Sequence, residues 1–391
     1  MSRKSKVFFP SLNGLRFIAA FVVIIHHLEQ IKYLFGLPNI FFKWHFIKIV
    51  GELGVTLFFT LSGFLITYLL LTEKERFGTV FVKEFYIRRI LRIWPLYYLL
   101  IILGLFVLPN LHFFDIPVFT ELVPTHFKTK ILFYFILFPN VINCLYAYMP
   151  YIAQTWSIGI EEQFYIVWPW IMKKTSNYFT VMLFIIFGLL ITTSVLSLFA
   201  SHAADISLLD NKTKLITFIW KFLAMLRISC MAIGALGALL LYNLDLRILR
   251  FFFKPMSQII IYTTVFLMLM FGVEFPFAHH EIYSVFFILI ILNLAANPDT
   301  IFSLEHKAID YLGKISYSIY MWHSIAIIAA LHVAQFINPN LNDTLSNIVY
   351  YVLTFVGSFI LSALSYEYFE SPFLKFKHLF AKVQSGNFEK K

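Results

Sequence analysis

The 391-residue chain is too apolar and too sparsely charged for a soluble protein. Hydrophobic residues make up 60% of it, charged residues only 13%, and the mean hydropathy is +0.79. So few charges cannot keep the surface of a soluble protein of this length hydrated. The same numbers exclude disordered, collagen-like, coiled-coil and disulfide-stabilised chains. The composition therefore indicates a polytopic membrane protein.

The net charge of +10 has an ordinary explanation in such a protein. Basic residues collect where a membrane protein faces the anionic cytoplasmic leaflet. We therefore expect membrane lipid as a partner and no nucleic acid. The oligomeric state is unknown from the sequence.

Uncharged apolar runs about 20 residues long predict an all-α fold of about ten transmembrane helices. The runs are continuous rather than alternating, which excludes a transmembrane barrel. The predicted spans lie near residues 11–30, 53–71, 93–110, 154–172, 178–200, 227–244, 255–273, 281–298, 315–335 and 346–367.

Lysines and arginines predict which connections face the cytoplasm. The residues used for this assignment are Arg3, Lys4, Lys6, Lys74, Arg76, Lys83, Arg88, Arg89, Arg92, Lys173, Lys174, Arg247, Arg250, Lys254, Lys375, Lys377, Lys382, Lys390 and Lys391. All of them fall on one side only if residues 131–150 do not cross the membrane. We therefore predict a re-entrant or interfacial segment at 131–150, buried in protein or bordering a cavity, and two cytoplasmic termini.

The first helix contains charges that a membrane span should avoid. Only twelve uncharged residues separate Arg16 from Glu29, so this span must include one or both. Arg16 and His27 are eleven residues apart, which puts them on one helix face with an axial offset of about 16.5 Å. Charged groups inside spans are candidates for function. The alternative is that Arg16 extends to the surface and His27 is a packed helix histidine.

Two further charged groups allow similar alternatives. Arg89 and Arg92 lie one turn apart and could bind a phosphate through paired N–H donors, or simply anchor the helix at the cytoplasmic surface. Glu161 and Glu162 must lie within a span that ends at Lys173. Adjacent carboxylates project about 100° apart, so at most one can face a given partner.

A polar and aromatic cluster opens the ninth predicted span. It contains Ser316, Tyr317 and His323, which could bind substrate or could only join helices by hydrogen bonds. The sequence has no HExxH motif and no cysteine pair, so we predict no metal.

Six segments in order resemble motifs of the acyltransferase-three family of integral membrane O-acyltransferases. They are SLNGLR at 11–16 followed by His27, GVTLFFTLSGFLI at 54–66, FYIRRILRIWPLYY at 85–98, WSIGIEEQFYIVWP at 156–169, LGKISYSIYMWH at 312–323 and SYEYFESPF at 365–373. The family commonly has Asp where Asn13 and Thr56 stand, and Ser where Gly159 stands. These departures weaken any role assigned to those three positions.

The resemblance implies a ten-helix enzyme that moves an acyl group, usually acetyl, from cytoplasmic acyl-CoA. The acceptor would be a hydroxyl of a cell-surface glycan, a lipid-linked sugar or a small molecule. We expect a membrane acyltransferase domain at 1–375 and a short basic cytoplasmic tail at 376–391, in the plasma (bacterial inner) membrane. Some members carry an additional extracytoplasmic domain, for which this chain is expected to leave no room.

Joined with the charge pattern, the resemblance predicts a site. The expected catalytic residues are His27, Glu161 and Glu162; the expected donor-binding residues are Arg16, Arg89 and Arg92; the expected substrate-binding residues are Trp156, Ser316, Tyr317 and His323. His27 would act as a general base or carry the acyl group. A transporter or flippase for the glycan or lipid-linked sugar, and a non-catalytic membrane partner, are the alternatives.

Overall fold

A computed structural model describes residues 6–9, 11–41, 43–116, 125–146, 148–200, 209–243, 246–337 and 343–385. Arg3, Lys4, Lys390 and Lys391, which the sequence analysis assigns to the cytoplasm, lie outside these residues. So do residues 386–391 of the predicted tail.

The described residues are almost entirely helical, as predicted. The α-helices are α1 (Ser11–Leu34), α2 (His45–Phe77), α3 (Val82–Ile102), α4 (Phe127–Phe135), α5 (Pro139–Leu145), α6 (Thr155–Lys174), α7 (Tyr178–Phe199), α8 (Asn211–Leu226), α9 (Ile228–Tyr242), α10 (Leu246–Phe253), α11 (Pro255–Met270), α12 (His279–Ala296), α13 (Lys307–Lys314), α14 (Ser316–Ile337), α15 (Asp343–Leu364) and α16 (Ser371–Lys377). Short 3-10 or π turns occupy Leu103–Val107, Leu108–Asn110, His112–Phe114, Ser365–Glu370 and His378–Phe380. Two-residue strands, β1 (Lys6–Val7) and β2 (Gln384–Ser385), pair in parallel.

Eight helical segments among the described residues are long and apolar enough to cross a membrane. They are Ser11–Leu34, His45–Phe77, Val82–Asn110, Tyr178–Phe199, Asn211–Tyr242, His279–Ala296, Ser316–Ile337 and Thr344–Lys377. The two remaining predicted spans coincide with the 16-residue helix α11 and with α6, which contains four charged residues. Every predicted span thus overlaps a helix, and the prediction of a polytopic all-α membrane protein is confirmed.

The segment 131–150 does not form a spanning helix. Its described residues contribute to α4 and α5, which have nine and seven residues and are only about 13 and 10 Å long. The chain breaks between them at Leu137, which has a positive φ of 65°. The Tyr134 carbonyl accepts a hydrogen bond from Tyr97 at 2.7 Å, and Asn140 accepts one from Gln163 at 2.9 Å. Contacts with α3 and α6 therefore satisfy polar groups of this broken segment.

The position of α2 is set by backbone contact with α9. A Cβ atom on Gly63 would overlap the Met231 carbonyl oxygen, and one on Gly234 would overlap the Thr60 carbonyl oxygen. Small residues at helix crossings let backbones approach closely in membranes, where van der Waals packing replaces the hydrophobic effect. This contact fixes how α2 presents the residues of its other faces to α1, α6 and α14.

The described ends of the chain meet on one side of the bundle, which we call the terminus side. Lys6 pairs with Gln384 and Val7 with Ser385. Arg88 also donates to the Phe380 carbonyl at 2.8 Å. The boundary predicted near residue 376 falls inside α16. The side where α1 ends and α2 begins is called the opposite side.

Candidate active site

A large cavity opens on the terminus side between α1, α2, α3, α6, α14 and α16. Its empty volume, open solvent included, is ≈ 1870 Å³. Arg16, Arg89 and Arg92 all border it. The structure therefore brings together the three arginines that the sequence analysis assigned to donor binding.

Two more cations border the same cavity, and the sequence analysis did not predict them. Lys377 reaches it from α16 and Lys314 from the end of α13. Lys314 is paired with Asp310 at 2.9 Å. Their signal in the sequence is weak, because basic residues near a helix end are usual at a membrane surface.

The cavity cations have few protein partners. Within the described part of the chain, Arg16, Arg92 and Lys377 form no hydrogen bond or salt bridge with a protein acceptor. The Arg89 guanidinium lies 5.5 Å from the ring centres of both Phe85 and Tyr165. Its Nε is buried without a hydrogen-bond partner. Buried polar groups are normally paired, so the cavity has unused capacity for an anion.

Two carboxylates partly offset this positive charge. Glu161 borders the cavity and accepts a hydrogen bond from the Tyr165 hydroxyl at 2.9 Å. Glu370 also borders it and accepts from Ser318 at 2.7 Å and from Ser365 at 2.9 Å. Five cations against two carboxylates leave the cavity positively charged.

Ser316 and Tyr317 lie in this same cavity, among the cations. The Tyr317 hydroxyl donates to the Ile93 carbonyl at 2.9 Å, which fixes α14 against α3. Their position would bring both residues close to an anionic ligand of the cavity rather than to a ligand on the opposite side.

His27 contacts His323 but does not border the cavity. His27 Nδ1 is 3.1 Å from the Val23 carbonyl oxygen and 3.1 Å from His323 Nε2. A carbonyl oxygen only accepts, so the hydrogen-bond network assigns the proton of neutral His27 to Nδ1. The lone pair is then on Nε2, where it is available to take a proton.

A short polar chain holds His323 in place. His323 is fully buried, with its Nδ1 2.5 Å from the Tyr320 carbonyl oxygen. The Ser324 hydroxyl lies 3.3 Å from His323 Nε2 and donates to Gln154 Oε1 at 2.9 Å. Gln154 Nε2 donates to the Met321 carbonyl at 2.6 Å. Neither Gln154 nor Ser324 was a candidate from the sequence, because isolated polar residues within helices carry no distinctive signal.

Tyr320 lies between the cavity and the histidine pair. Its side chain borders the cavity, and its ring centre is 5.7 Å from that of His323. Its hydroxyl is 2.7 Å from Ser157 Oγ and donates to the Gln154 carbonyl at 3.0 Å. Arg16 therefore borders the cavity and His27 does not, although both lie on the predicted shared face of α1.

The adjacent glutamates face different partners, as their 100° offset predicts. Glu162 Oε2 accepts from the Trp94 indole N–H at 3.0 Å, and its Oε1 is buried without a partner. Glu161 faces the cavity arginines instead. In the described part of the chain neither carboxylate forms a hydrogen bond with His27.

Trp156 lies away from this cavity. The Arg227 guanidinium is 5.3 Å from its ring centre. Arg227 in turn donates to Glu52 in the second turn of α2, near the opposite side. The structure thus separates Trp156 from Ser316 and Tyr317, which the sequence analysis grouped with it as substrate-binding residues.

Asn13, one of the departures from the family pattern, has a partner outside the spans. Its amide donates to Asp310 at 2.6 Å. Partial burial raises the pKa of Asp310, but hydrogen bonds from Asn13 and Lys314 outweigh it, so that the pKa lies below its ordinary value. Asn13 therefore anchors α13 to α1 beside the cavity.

Comparison with known proteins identifies the family. A family model described as an acyltransferase domain matches residues 9–367. The peptidoglycan O-acetyltransferase OatA of Listeria monocytogenes is 28% identical over 96% of this chain and 57% of its own length. A putative O-acetyltransferase of Staphylococcus aureus strain COL is 27% identical over 95% and 58%, and the O-acetyltransferase OatA of S. aureus strain NCTC 8325 is 25% identical over 94% and 57%. The chain spans less than three fifths of the length of these relatives. No solved structure matches.

Proposed function

Because the chain belongs to the acyltransferase-three family of integral membrane acyltransferases, we propose that it transfers an acyl group, in the simplest case acetyl, from acyl-CoA to a glycan hydroxyl. The observation that supports this most directly is the cavity in which Arg16, Arg89, Arg92 and Lys377 present unused donors. Acyl-CoA has a polyanionic head and a long arm, which match a cationic cavity whose wall includes Tyr320, the ring neighbour of His323.

The donor would enter from the cytoplasm. The terminus side includes Lys74 and Arg76 at the end of α2, and basic loops favour the cytoplasmic face. Acyl-CoA is a cytoplasmic metabolite, so a cytoplasmic mouth would receive it directly. In this orientation both termini would lie on the cytoplasmic side of a bacterial inner membrane.

The reactive end of the donor would reach His27 past Tyr320. Along α1, His27 is about 16.5 Å from Arg16, which suits an arm whose phosphates lie on the arginines. The Tyr320 side chain must turn aside for the thioester to meet the imidazole. Because Tyr320 is held by Ser157 and Gln154, occupation of the cavity would compete with those hydrogen bonds.

His27 would then act as the base. Its Nε2 takes the proton of the acceptor hydroxyl while the oxygen attacks the thioester carbonyl. The C–O bond forms, the C–S bond breaks, and coenzyme A leaves as a thiolate that takes the proton back. In the covalent alternative Nε2 attacks the thioester first, the C–S bond breaks, and coenzyme A leaves as a thiol with the proton from Nδ1. The acceptor hydroxyl then attacks the acyl-imidazole, the C–N bond breaks, and the imidazole takes the hydroxyl proton.

The acceptor would be a sugar of the cell envelope. Relatives with 25–28% identity are named O-acetyltransferases, one of them for peptidoglycan. A cell-surface glycan or a lipid-linked sugar would approach from the side opposite to the donor. Glu162 and Trp156, toward the start of α6, would take part from that side.

The test is transfer by the purified full-length chain in lipid nanodiscs. The protein is incubated with isotope-labelled acetyl-CoA and cell-envelope glycans, and both free coenzyme A and labelled ester are measured by mass spectrometry. We expect ester on the glycan and an equal amount of free coenzyme A. If glycan crosses the bilayer of proteoliposomes and no ester forms, the transporter hypothesis is correct instead.

A further inference from the structure

A second polar cluster lies near the opposite side, outside the cation cavity. It consists of Glu52 and Thr56 on α2, Arg227 between α8 and α9, His280 on α12, and Trp156 on α6. We call it the Arg227 cluster. Four elements supply its members, so it depends on the tertiary structure.

Arg227 is held in an unusual backbone conformation. Its φ is +45°, in the left-handed region. Residues other than glycine rarely adopt this region, and such strain is found mainly where the surrounding structure holds a functional side chain. In this conformation the guanidinium lies over the Trp156 ring and donates to Glu52, but these contacts do not use all of its N–H groups.

The donors and acceptors of the cluster are incompletely used. Arg227 Nη1 donates to the Glu52 carbonyl at 3.3 Å and Nη2 to Glu52 Oε2 at 3.0 Å, while Nε is buried without a partner. Glu52 Oε1 accepts no hydrogen bond from any described residue. The Glu52 side chain is 56% exposed although it lies within a membrane helix, so Oε1 is open to a ligand from outside the helix bundle.

His280 adds a third available atom. Its Nδ1 is 3.1 Å from the Thr56 hydroxyl, which itself donates to the Glu52 carbonyl at 2.9 Å. Thr56 therefore accepts from Nδ1, which leaves Nε2 free. Nε2 lies 3.7 Å from Glu52 Oε2, beyond hydrogen-bond distance.

We infer that the Arg227 cluster binds hydroxyl groups of a neutral sugar, and this inference rests on the proposed function. The free Nε–H donates, Glu52 Oε1 accepts, and His280 Nε2 accepts from a third hydroxyl. The charges of Arg227 and Glu52 cancel in their own pair, so the cluster has no excess cation for a phosphate. A polyhydroxyl ligand offers both donors and acceptors and matches this set.

The cluster is also close to the histidine that would activate such a hydroxyl. Gly51 precedes Glu52, and a Cβ on it would overlap the His26 ring, so the α2 backbone lies directly on that ring. The His26 ring centre is 5.0 Å from that of His27. Because Gly51 and Glu52 are adjacent, a sugar held by Glu52 would lie at the same level along α2 as His26.

The test compares sugar and donor affinity in matched variants. Purified full-length protein in nanodiscs is titrated with chitopentaose, a neutral N-acetylhexosamine oligomer, and separately with coenzyme A. Glu52→Gln keeps the size of the side chain and removes its charge; Arg227→Lys keeps the charge and removes Nε. Glu274→Gln is the control, since Glu274 is a similarly exposed carboxylate of the same side, paired only with His45 and Lys48 among described residues.

We expect each cluster variant to weaken chitopentaose binding about 10-fold or more, because Arg227→Lys loses the Nε hydrogen bond and Glu52→Gln loses the charge that strengthens the hydrogen bond at Oε1. Coenzyme A affinity and the control variant should stay within twofold of the parent. Unchanged sugar affinity in both cluster variants, or no binding of chitopentaose to the parent, would overturn the inference. Neither result would contradict the proposed acyl transfer. Failure of the parent to transfer acetyl to any glycan would instead remove the proposed function.

Discussion

Nε2 of His323 lies 3.1 Å from Nδ1 of His27, although the two residues are 296 positions apart. One ring belongs to α1 and the other to α14, so the packing of the two helices sets this distance. The contact orients His27 and leaves its Nε2 free. This pair is the part of the site from which the chemical predictions follow.

Replacing His27 by Ala should abolish acyl transfer without preventing donor binding. A general base contributes about 10²- to 10⁴-fold to rate, and the cations that bind the donor lie elsewhere. Transfer is measured as labelled ester, and donor affinity by titration with coenzyme A. A well-folded His27→Ala protein with normal transfer would contradict the proposed mechanism.

Replacing Ser324 by Ala should lower kcat more than it changes KM. Ser324 connects His323 to Gln154 and does not border the cation cavity, so we expect it to act only by positioning. A misplacement of about 1 Å at a reacting group can cost about 10²-fold in rate. Steady-state kinetics over a pH series separate this effect from folding: restoration of kcat by Ser324→Thr supports positioning, and equal loss in both variants argues against it.

Replacing Lys377 by Ala should weaken donor binding. Loss of a hydrogen bond to a charged group costs about 1.5–3 kcal/mol, or about 10- to 100-fold in affinity, and Lys377 has no competing protein acceptor among described residues. Lys375→Ala is the matched control, because Lys375 is exposed on the same helix and does not border the cavity. Coenzyme A titration that gives equal affinity for both variants would exclude Lys377 from the donor site.

Arg89→Ala and Arg92→Ala should likewise weaken donor binding more than acceptor binding. Both arginines border the cavity, whereas the Arg227 cluster does not. The affinity of the parent protein for coenzyme A should also fall with added salt, because ions screen the attraction between the phosphates and the cavity cations. Titrations at two ionic strengths, with chitopentaose as the uncharged comparison, measure both effects.

Replacing Gly63 by Ala should destabilise the protein by about 1–3 kcal/mol, the usual cost of overpacking. The added methyl group would overlap the Met231 carbonyl, which is backbone and cannot rotate away. Gly188→Ala is the control, because nothing lies within 4 Å of the Cβ it would add. Thermal unfolding in one detergent should show a lower Tm only for the Gly63 variant.

Composition and apolar run length were sufficient to predict the class and the position of the helices, but eight helical segments among the described residues, not ten, are long and apolar enough to cross a membrane. The ten predicted runs overlap helices because a bilayer requires about 20 apolar residues for each crossing. Charge asymmetry correctly indicated that residues 131–150 form no full span. It could not specify the break at Leu137, which depends on contacts of α4 and α5 with α3 and α6.

The site was predicted less completely than the fold. Helical spacing and the family resemblance selected Arg16, Arg89 and Arg92, which the structure gathers in one cavity. Helical spacing within the sequence could not identify Lys377 as a cavity residue, because its position depends on how α16 packs against α3. Helical spacing also could not predict that Tyr320 lies between the cavity and His323.

The amino-acid sequence alone determined that this chain is a helical membrane protein with cations at one end of its spans and isolated charges within them. Those properties follow from the solvent preferences of single residues and from the period of one helix. Only the tertiary structure decided that His323 contacts His27, that Glu161 borders the cation cavity and that Glu162 binds Trp94. Neighbours across helices depend on the relative rotation and crossing of two packed helices, which no single-helix pattern contains.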